Sequence, residues 1–275
     1  MRSPTPTVAV LASTAALVLA GCGGSSSTGS SSSGTSSLAA AARSSASPTS
    51  TLTGQITVLA ASSLTDAFTK IGKQFESANP GTKVTFNFGS SAALANLATQ
   101  GAPVDVFASA SPKNMATVVA AKAAKTPTTF AKNSMEIAVP ADNPAHITQL
   151  SDLAKPGVKV ALCVAQAPCG VAADTVLKNA KLTVKPATRE ADVTATMAKV
   201  TLGEVDAAIV YITDVKAAGS KVKGIEIPAA VNATTSYPIA VLTGTHTPAL
   251  SQAFADFVLS GKAGQVLTGD GFAKP

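Results

Sequence analysis

The stretch QITVLAASSLT, residues 55–65, contains the two patterns from which the fold follows. Its first part, residues 55–60, is a short apolar run that predicts a buried β-strand. From Leu64 to Phe75 the apolar residues recur at helical spacing, which predicts a helix with one buried face. A strand that leads directly into a helix is the repeating unit of α/β folds, in which helices cover a mostly parallel sheet.

The same alternation continues along the chain. Helical faces are predicted at 94–98, after the Ser111-Pro112 cap, and at 248–259. Further strands are predicted in the apolar runs 84–88, 104–108, 135–140, 158–162, 206–211 and 239–242. The sequence therefore predicts the α/β class.

The N-terminal segment has the features of an export signal. A basic start, Met1-Arg2, precedes an apolar run over 8–20 that is too short to span a bilayer as a mature helix. The run ends in Leu19-Ala20-Gly21-Cys22, which resembles the bacterial lipobox and implies cleavage before Cys22 and acylation of its thiol. We therefore expect a lipoprotein signal peptide over 1–21 and an extracytoplasmic protein, lipid-anchored to the outer face of the cell membrane. A plain secreted protein with a stray cysteine is the alternative.

A composition change separates a tether from a folded part. Residues 22–53, which start with the lipidated Cys, are dominated by Ser, Gly, Ala and Thr and contain no aromatic residue. Such a segment buries too little apolar surface to offset the entropy of ordering, which predicts a disordered tether. Regular apolar runs begin at Gly54, and a chain with 46% hydrophobic and 13% charged residues has ample material for a core.

The charge pattern argues against nucleic-acid binding. The net charge of +6 comes from 21 Lys and Arg against 15 Asp and Glu, without basic blocks or interleaved aromatic residues. A mild preference for anions is compatible with this charge, and a solvated surface explains it equally well.

Serines follow two of the predicted strands, where each strand gives way to a helix. Ser62-Ser63 follows the first strand, and Gly89-Ser90-Ser91 follows the next. At the carboxyl ends of neighbouring parallel strands, these junctions would aim hydroxyls, backbone N–H groups and helix dipoles into one crevice. Such a crevice is an anion site built without formal charge. The alternative for Ser63 is a helix cap with Asp66 as its capping-box partner.

Five short blocks occur in order along the folded part. They are VLAASSLT (58–65), GSS (89–91), GAPVDVF (101–107), PCG (168–170) and GEVDAAIVY (203–211). Each block is weak evidence alone, but together they resemble the molybdate-binding proteins of bacterial ABC importers, a type II periplasmic binding protein family. The resemblance covers the whole predicted folded part.

This resemblance implies a set of oxyanion ligands. In that family two serines, two backbone amides and a tyrosine hydroxyl hold a tetrahedral oxyanion. The matching positions here are Ser63, Ser91, the amide of Cys169, the amide of Val193, and Tyr211. Val193 follows from the looser motif EADV, whereas the serines and Tyr211 lie in clear blocks. Without the resemblance, Tyr211 is equally a core residue whose hydroxyl reaches water.

The chemistry of the ligand agrees with such a site. Molybdate and tungstate are dianions at neutral pH that only accept hydrogen bonds, so hydroxyl and amide donors suit them without a buried counter-charge. A protonated phosphate would also need an acceptor, usually a carboxylate. Asp66 and Asp105 are near in sequence, but the first is better interpreted as a cap partner and the second as an end-of-strand residue.

Catalysis has little support in the sequence. His146 and His246 lie far apart, there is no Gly-x-Ser-x-Gly motif, and no base adjoins a cysteine. We therefore expect a binding protein rather than an enzyme, with no cofactor and no directly bound metal. A binder of sulfate or phosphate with the same fold is the closer alternative, and a secreted lipoprotein hydrolase is the remote one.

Cys163 and Cys169 form a C-x5-C pair in a chain with an export signal, which favours a disulfide. The bond would restrain the segment that presents the Cys169 amide. Many members of the resembled family carry a small apolar residue at that position, so the cysteine is a departure, which a backbone contact tolerates. A reduced pair that binds metal is the alternative, but it lacks the usual four ligands.

The resemblance also implies the domain organisation and the partners. We expect two doubly wound α/β domains with a ligand cleft between them, joined by two crossing strands near 135–140 and 237–241. Domain I comprises 54–136 and 237–275, and domain II comprises 137–236. The partners are molybdate or tungstate, an ABC permease with its ATPase, and the membrane through the lipid anchor only, for a protein that is a monomer.

Overall fold

The computed structural model describes residues 52–275, which belong to one compact unit. The predicted signal peptide 1–21, Cys22 and nearly all of the predicted tether 22–53 lie outside the described residues. Between residues 52 and 275, no helix is both long and apolar enough to cross a membrane.

Strands and helices alternate through the described part. The strands are β1 Gly54–Ala61, β2 Thr82–Gly89, β3 Val106–Ala108, β4 Thr128–Pro140, β5 Val160–Cys163, β6 Thr188–Glu190, β7 Ala207–Tyr211, β8 Val222–Glu226 and β9 Thr234–Val241. The α-helices are α1 Thr65–Ala78, α2 Ser91–Thr99, α3 Pro112–Ala120, α4 Pro168–Asn179, α5 Val193–Thr201, α6 Ile212–Ala218, α7 Pro248–Val258 and α8 Gly261–Gly269. The alternation predicted from the sequence is confirmed.

The strands form one continuous sheet in the order β2-β1-β3-β9-β4-β7-β5-β6, with β8 also paired to β4. At one end β1 runs parallel to both β2 and β3, and at the other end β5 runs parallel to both β6 and β7. Between these parallel groups lie β9 and β4, which are antiparallel to each other. We call the β1–β3 group with α1–α3, α7 and α8 the first lobe, and the β5–β8 group with α4–α6 the second lobe.

Helices cover the first-lobe sheet on both faces. Alternate residues of β1 point in opposite directions, so that Ile56 and Val58 join one buried cluster while Leu59 joins another. The second lobe has its own core, in which Ile209 and Val160 are completely buried. Each lobe is therefore doubly wound around its share of the sheet.

Strand β4 crosses from one lobe to the other. Residues 128–134 pair with β9, whereas residues 135–138 pair with β7. Both β4 and β9 begin several residues before the predicted strands, because their first halves carry polar residues such as Asn133 and Thr235 that break the apolar pattern. The predicted boundaries at 136/137 and 236/237 fall within these two strands and stay a prediction.

Helix α4 packs so closely on the preceding loop that Gly170 has no room for a side chain. A Cβ atom at this position would lie 2.0 Å from the carbonyl oxygen of Val164. Because this neighbour is backbone, it can move only by displacing the loop. In contrast, a Cβ atom at Gly264 of α8 would meet nothing within 4 Å.

These two helical glycines predict opposite effects on stability. Gly170→Ala should lower the free energy of unfolding by about 1–3 kcal/mol through overpacking. Gly264→Ala, its control, should raise that free energy by about 0.5–1 kcal/mol because alanine loses less backbone entropy in a helix. Urea denaturation of both variants checks the prediction, and equal effects of the two substitutions would contradict it.

Candidate anion-binding site

The structure brings the five predicted ligand positions together at one cavity between the lobes. Its volume is about 10 Å³, far below the roughly 300–1,000 Å³ typical of sites for organic ligands. It is lined by Ala61, Ser62, Ser63, Gly89, Ser90, Ser91, Ala110, Pro168, Cys169, Asp192, Val193 and Tyr211. The cavity is thus too small for an organic ligand, and the role of each residue as a ligand stays a prediction.

The sheet topology explains why these residues meet. In each lobe the lining segments follow the carboxyl ends of the parallel strands. Three helices also begin there, since α2 starts at Ser91, α4 at Pro168 and α5 at Val193. The N–H groups of a first helical turn have no partner inside the helix and carry the positive end of its dipole. The amides of Cys169 and Val193 belong to such turns, so they are natural anion donors.

A backbone hydrogen bond orients the Ser91 hydroxyl so that it can donate to a ligand. Its side chain is buried, and its Oγ accepts a hydrogen bond of 2.9 Å from the backbone N–H of Ala110. A hydroxyl has one hydrogen, and that of Ser91 stays available for a ligand.

Ser63 does not cap a helix. Neither the short 3₁₀ turn Ser62–Leu64 nor α1 has a side-chain cap, so the capping alternative with Asp66 is wrong. The hydroxyl of Thr65 takes the local bond instead, donating to the carbonyl of Ser62 at 2.6 Å. Ser63 Oγ lies 2.9 Å from Tyr237 Oη, a partner 174 residues away that no local pattern indicates.

Tyr211 presents an unsatisfied hydroxyl. The residue is 1% exposed, and its Oη is buried without a hydrogen-bond partner among the described residues. Burial raises the pKa of Tyr211 well above its usual value, and the nearby Tyr237 raises it further, although the two hydroxyls do not meet hydrogen-bond geometry. The alternative in which this hydroxyl reaches water is therefore wrong.

The formal charge nearest the cavity belongs to Asp192, a lining residue that the sequence reasoning did not weigh. Its Oδ1 caps α5 by accepting a 3.0 Å hydrogen bond from the N–H of Ala195. Asp105 does not line the cavity. Its Oδ2 accepts a 2.7 Å hydrogen bond from the N–H of Thr57, as expected of an end-of-strand residue. No Lys, Arg or His of residues 52–275 lines the cavity.

A disulfide joins Cys163 and Cys169, whose Cα atoms are 5.8 Å apart. It connects the end of β5 to the first turn of α4, next to the cavity. The Sγ of Cys163 also lies 3.3 Å from the buried hydroxyl of Thr196 in α5. Residues 52–275 contain no cluster of three or more His, Cys, Asp or Glu placed to hold a metal ion.

Comparison with known proteins agrees with this geometry. The family described as bacterial extracellular solute-binding protein matches residues 56–273. The chain belongs to this family. A curated relative, the molybdate-binding protein ModA of Mycobacterium tuberculosis, is 41% identical over 221 residues, which are 80% of this chain and 85% of that protein. The resemblance inferred from the sequence is confirmed.

Solved structures of solute-binding proteins share the fold. The substrate-binding domain of a putative molybdenum ABC transporter from Clostridium difficile is 29% identical, with a TM-score of 0.62 over 80% of this chain and 99% of that one. The sulfate-binding protein SubI of M. tuberculosis has a TM-score of 0.72 over 80% and 86%, but at 18% identity this likeness shows the fold alone. The predicted two-lobed type II periplasmic binding protein fold is confirmed.

In this solute-binding protein a second, larger cavity of about 550 Å³ adjoins the first and shares Ser62 and Ser63 with it. Asp214 lines the larger cavity, and its Oδ2 accepts a 3.0 Å hydrogen bond from the N–H of Tyr211. The pKa of Asp214 is raised from its ordinary value of 3.8 to about 7, chiefly by burial and also by the charges of Asp192 and Asp66, while the hydrogen bond from Tyr211 acts in the opposite direction.

The raised pKa of Asp214 predicts a stability that falls as pH rises. The folded state holds this proton more strongly than the unfolded state, so the contribution is full below the ordinary pKa and is lost as pH rises through about 7. From about pH 5 to about pH 8, the wild type should lose unfolding free energy relative to Asp214→Asn, which does not titrate. Urea denaturation across this range measures the difference. Parallel profiles of the two proteins would show that Asp214 does not titrate there.

Proposed function

We propose that this protein captures molybdate, and also tungstate, outside the cytoplasm and delivers it to the permease and ATPase of an ABC importer. It acts as a monomer and needs no cofactor. The observation that carries the proposal is Tyr211, whose buried hydroxyl has no hydrogen-bond partner among residues 52–275 and which lines the same small cavity as Ser63, Ser91 and two helix-start residues. The 41% identical relative bears the name of a molybdate-binding protein.

The donor set matches the chemistry of these anions. Molybdate and tungstate carry no proton at neutral pH, so each oxygen accepts hydrogen bonds and donates none. Three hydroxyls and two amides supply donors from both lobes, and closing the lobes around the anion replaces its water without burying a cation.

The proposed role is binding without catalysis. A hydrolase needs a base beside its serine, and neither Ser63 nor Ser91 contacts a histidine or a carboxylate. Ser91 is hydrogen-bonded to a backbone amide and Ser63 to a tyrosine. These partners suit serines that donate hydrogen bonds to a ligand, because neither partner can act as the base that a nucleophilic serine needs.

A thermal-shift panel of oxyanions tests the ligand. Molybdate and tungstate should stabilise the protein alike, by about 2.7 kcal/mol at one hundred times the dissociation constant, which is a melting shift of about 5–10 °C. Sulfate and phosphate should stabilise the protein much less, because their S–O and P–O bonds are shorter than Mo–O and W–O bonds. In a cavity shaped for the larger anion, their hydrogen bonds would be stretched beyond about 3.2 Å. A shift with sulfate or phosphate alone would assign the site to the alternative ligand.

The same titration locates the site. Ser63→Ala and Ser91→Ala should each weaken molybdate binding by about 1.5–3 kcal/mol, the range for a hydrogen bond to a charged group. Ser220→Ala, at an exposed position outside the cavity, is the matched control and should bind like wild type. Full affinity in both cavity variants would mean that the site is misplaced.

We further propose that the mature protein is anchored through acylated Cys22. The lipobox-like Leu19-Ala20-Gly21-Cys22 supports this proposal. Cys22→Ala should move the protein from the membrane fraction to the soluble fraction, since acyl chains contribute about 0.8 kcal/mol per buried methylene. Fractionation and mass spectrometry of the N-terminus check this, and an unacylated mature N-terminus at another position would contradict it.

A further inference from the structure

A line of buried polar side chains extends from Ser63 into the second lobe. Ser63 Oγ contacts Tyr237 Oη at 2.9 Å, and Tyr237 Oη contacts Asn133 Nδ2 at 3.4 Å. Asn133 Nδ2 in turn contacts Thr213 Oγ1 at 2.8 Å. Tyr237 lies on β9, Asn133 on β4 and Thr213 on α6, and all three are at most 4% exposed. We call these three residues the buried relay.

The orientation of the Asn133 amide gives the relay a direction. Its Oδ1 accepts a 3.0 Å hydrogen bond from the N–H of Ser134, so the oxygen side of the amide is already used. The Nδ2 side carries two hydrogens and no acceptor. One hydrogen is directed to Thr213, and the other to the oxygen of Tyr237.

The orientation of Asn133 also affects which way the hydrogen bond between Tyr237 and Ser63 runs. Either hydroxyl of the Ser63–Tyr237 pair can be the donor. Because Tyr237 Oη already accepts from Asn133, its single hydrogen is free to be donated to Ser63 Oγ, and this is the direction on which the inference below depends. The oxygen of Ser63 then accepts, and its own hydrogen is left for the cavity. Ser91 is in the same state, since its oxygen accepts from the N–H of Ala110. Two serines on different segments are thus both set to donate.

We propose that Tyr237 and Asn133 are positioning residues that fix Ser63 as a donor, and that they thereby select for oxyanions without a proton. This inference rests on the proposed function and deepens it. Without the relay the Ser63 hydroxyl can rotate, turn a lone pair toward the cavity and accept from a protonated anion. With the relay, Tyr237 takes one of the two lone pairs of Ser63 Oγ, which favours the orientation in which the hydrogen, rather than the remaining lone pair, points into the cavity.

A double-mutant cycle tests the relay. Tyr237→Phe removes only the hydroxyl, so it should weaken molybdate binding about tenfold in the wild-type background. In a Ser63→Ala background it should have almost no further effect, because the serine through which it acts is gone. Tyr211→Phe is the matched control, an identical change on a ring whose centroid is 6.2 Å from that of Tyr237. Since Tyr211 faces the cavity itself, its effect should multiply with that of Ser63→Ala.

A second measurement, the ratio of molybdate to phosphate affinity, changes only if the relay determines whether Ser63 donates or accepts. The ratio of molybdate to phosphate affinity should fall in Tyr237→Phe. It should be the same in Ser63→Ala with and without Tyr237→Phe, because alanine has no lone pair to turn toward the anion, whereas a merely structural loss would weaken both anions alike. If Tyr237→Phe does not fold, Asn133→Leu takes its place, because it keeps the side-chain shape and removes the N–H donors. It should show the same lack of additivity with Ser63→Ala.

The outcomes separate the inference from the proposed function. A wild-type protein that binds neither molybdate nor tungstate would overturn the proposed function and the relay with it. A wild-type protein that binds molybdate, with Tyr237→Phe either without effect or multiplying with Ser63→Ala, would overturn the relay alone. Loss of affinity in Tyr237→Phe that vanishes in the Ser63→Ala background, with a lower molybdate-to-phosphate ratio, would establish it.

Discussion

A negative ion held by neutral groups needs donors that are fixed before the ion arrives, and this constraint explains most of the architecture. Donors from a single segment could not surround a tetrahedral ion, so they come from both lobes. Parallel strands bring their carboxyl ends, and the helix starts that follow, to a common edge. Ser91 receives a hydrogen bond from a backbone amide on the side away from the cavity, and in the proposed relay Ser63 receives one from Tyr237.

The two crossing strands have a chemical role as well as a mechanical one. Strands β4 and β9 carry Asn133 and Tyr237 at the place where the sheet passes between the lobes. The hydrogen bond from Asn133 to Thr213 reaches the second lobe, while the contact of Tyr237 with Ser63 reaches the first. A change in the angle between the lobes would therefore alter the hydrogen bonds of Asn133 and Tyr237, the two side chains that orient the Ser63 donor.

Local patterns in the sequence predict much of this structure, and distant contacts account for the rest. Strand–helix alternation predicts the class, and the serine junctions predict the first-lobe side of the cavity, because both are local patterns. The second-lobe positions Cys169, Val193 and Tyr211 followed only from the family resemblance. The role of Tyr237 could not be predicted, since its partner Ser63 is 174 residues away. The capping prediction for Ser63 failed for the same reason: a local motif was available, but a tertiary contact took the hydroxyl. The first halves of β4 and β9 were also missed, because they lie where the sheet passes between the lobes and carry polar residues that break the apolar strand pattern.

The position of β9 has a consequence for the order in which the chain can fold. This late strand inserts between β3 and β4, and the helices after it complete the core around β1. The first lobe thus consists of two separated pieces, and it stays incomplete until the last part of the chain has been made. Contacts between such distant segments form slowly. If the chain is exported, as its N-terminal sequence predicts, this late completion of the first lobe leaves a period in which the unfolded chain can still pass through a membrane channel.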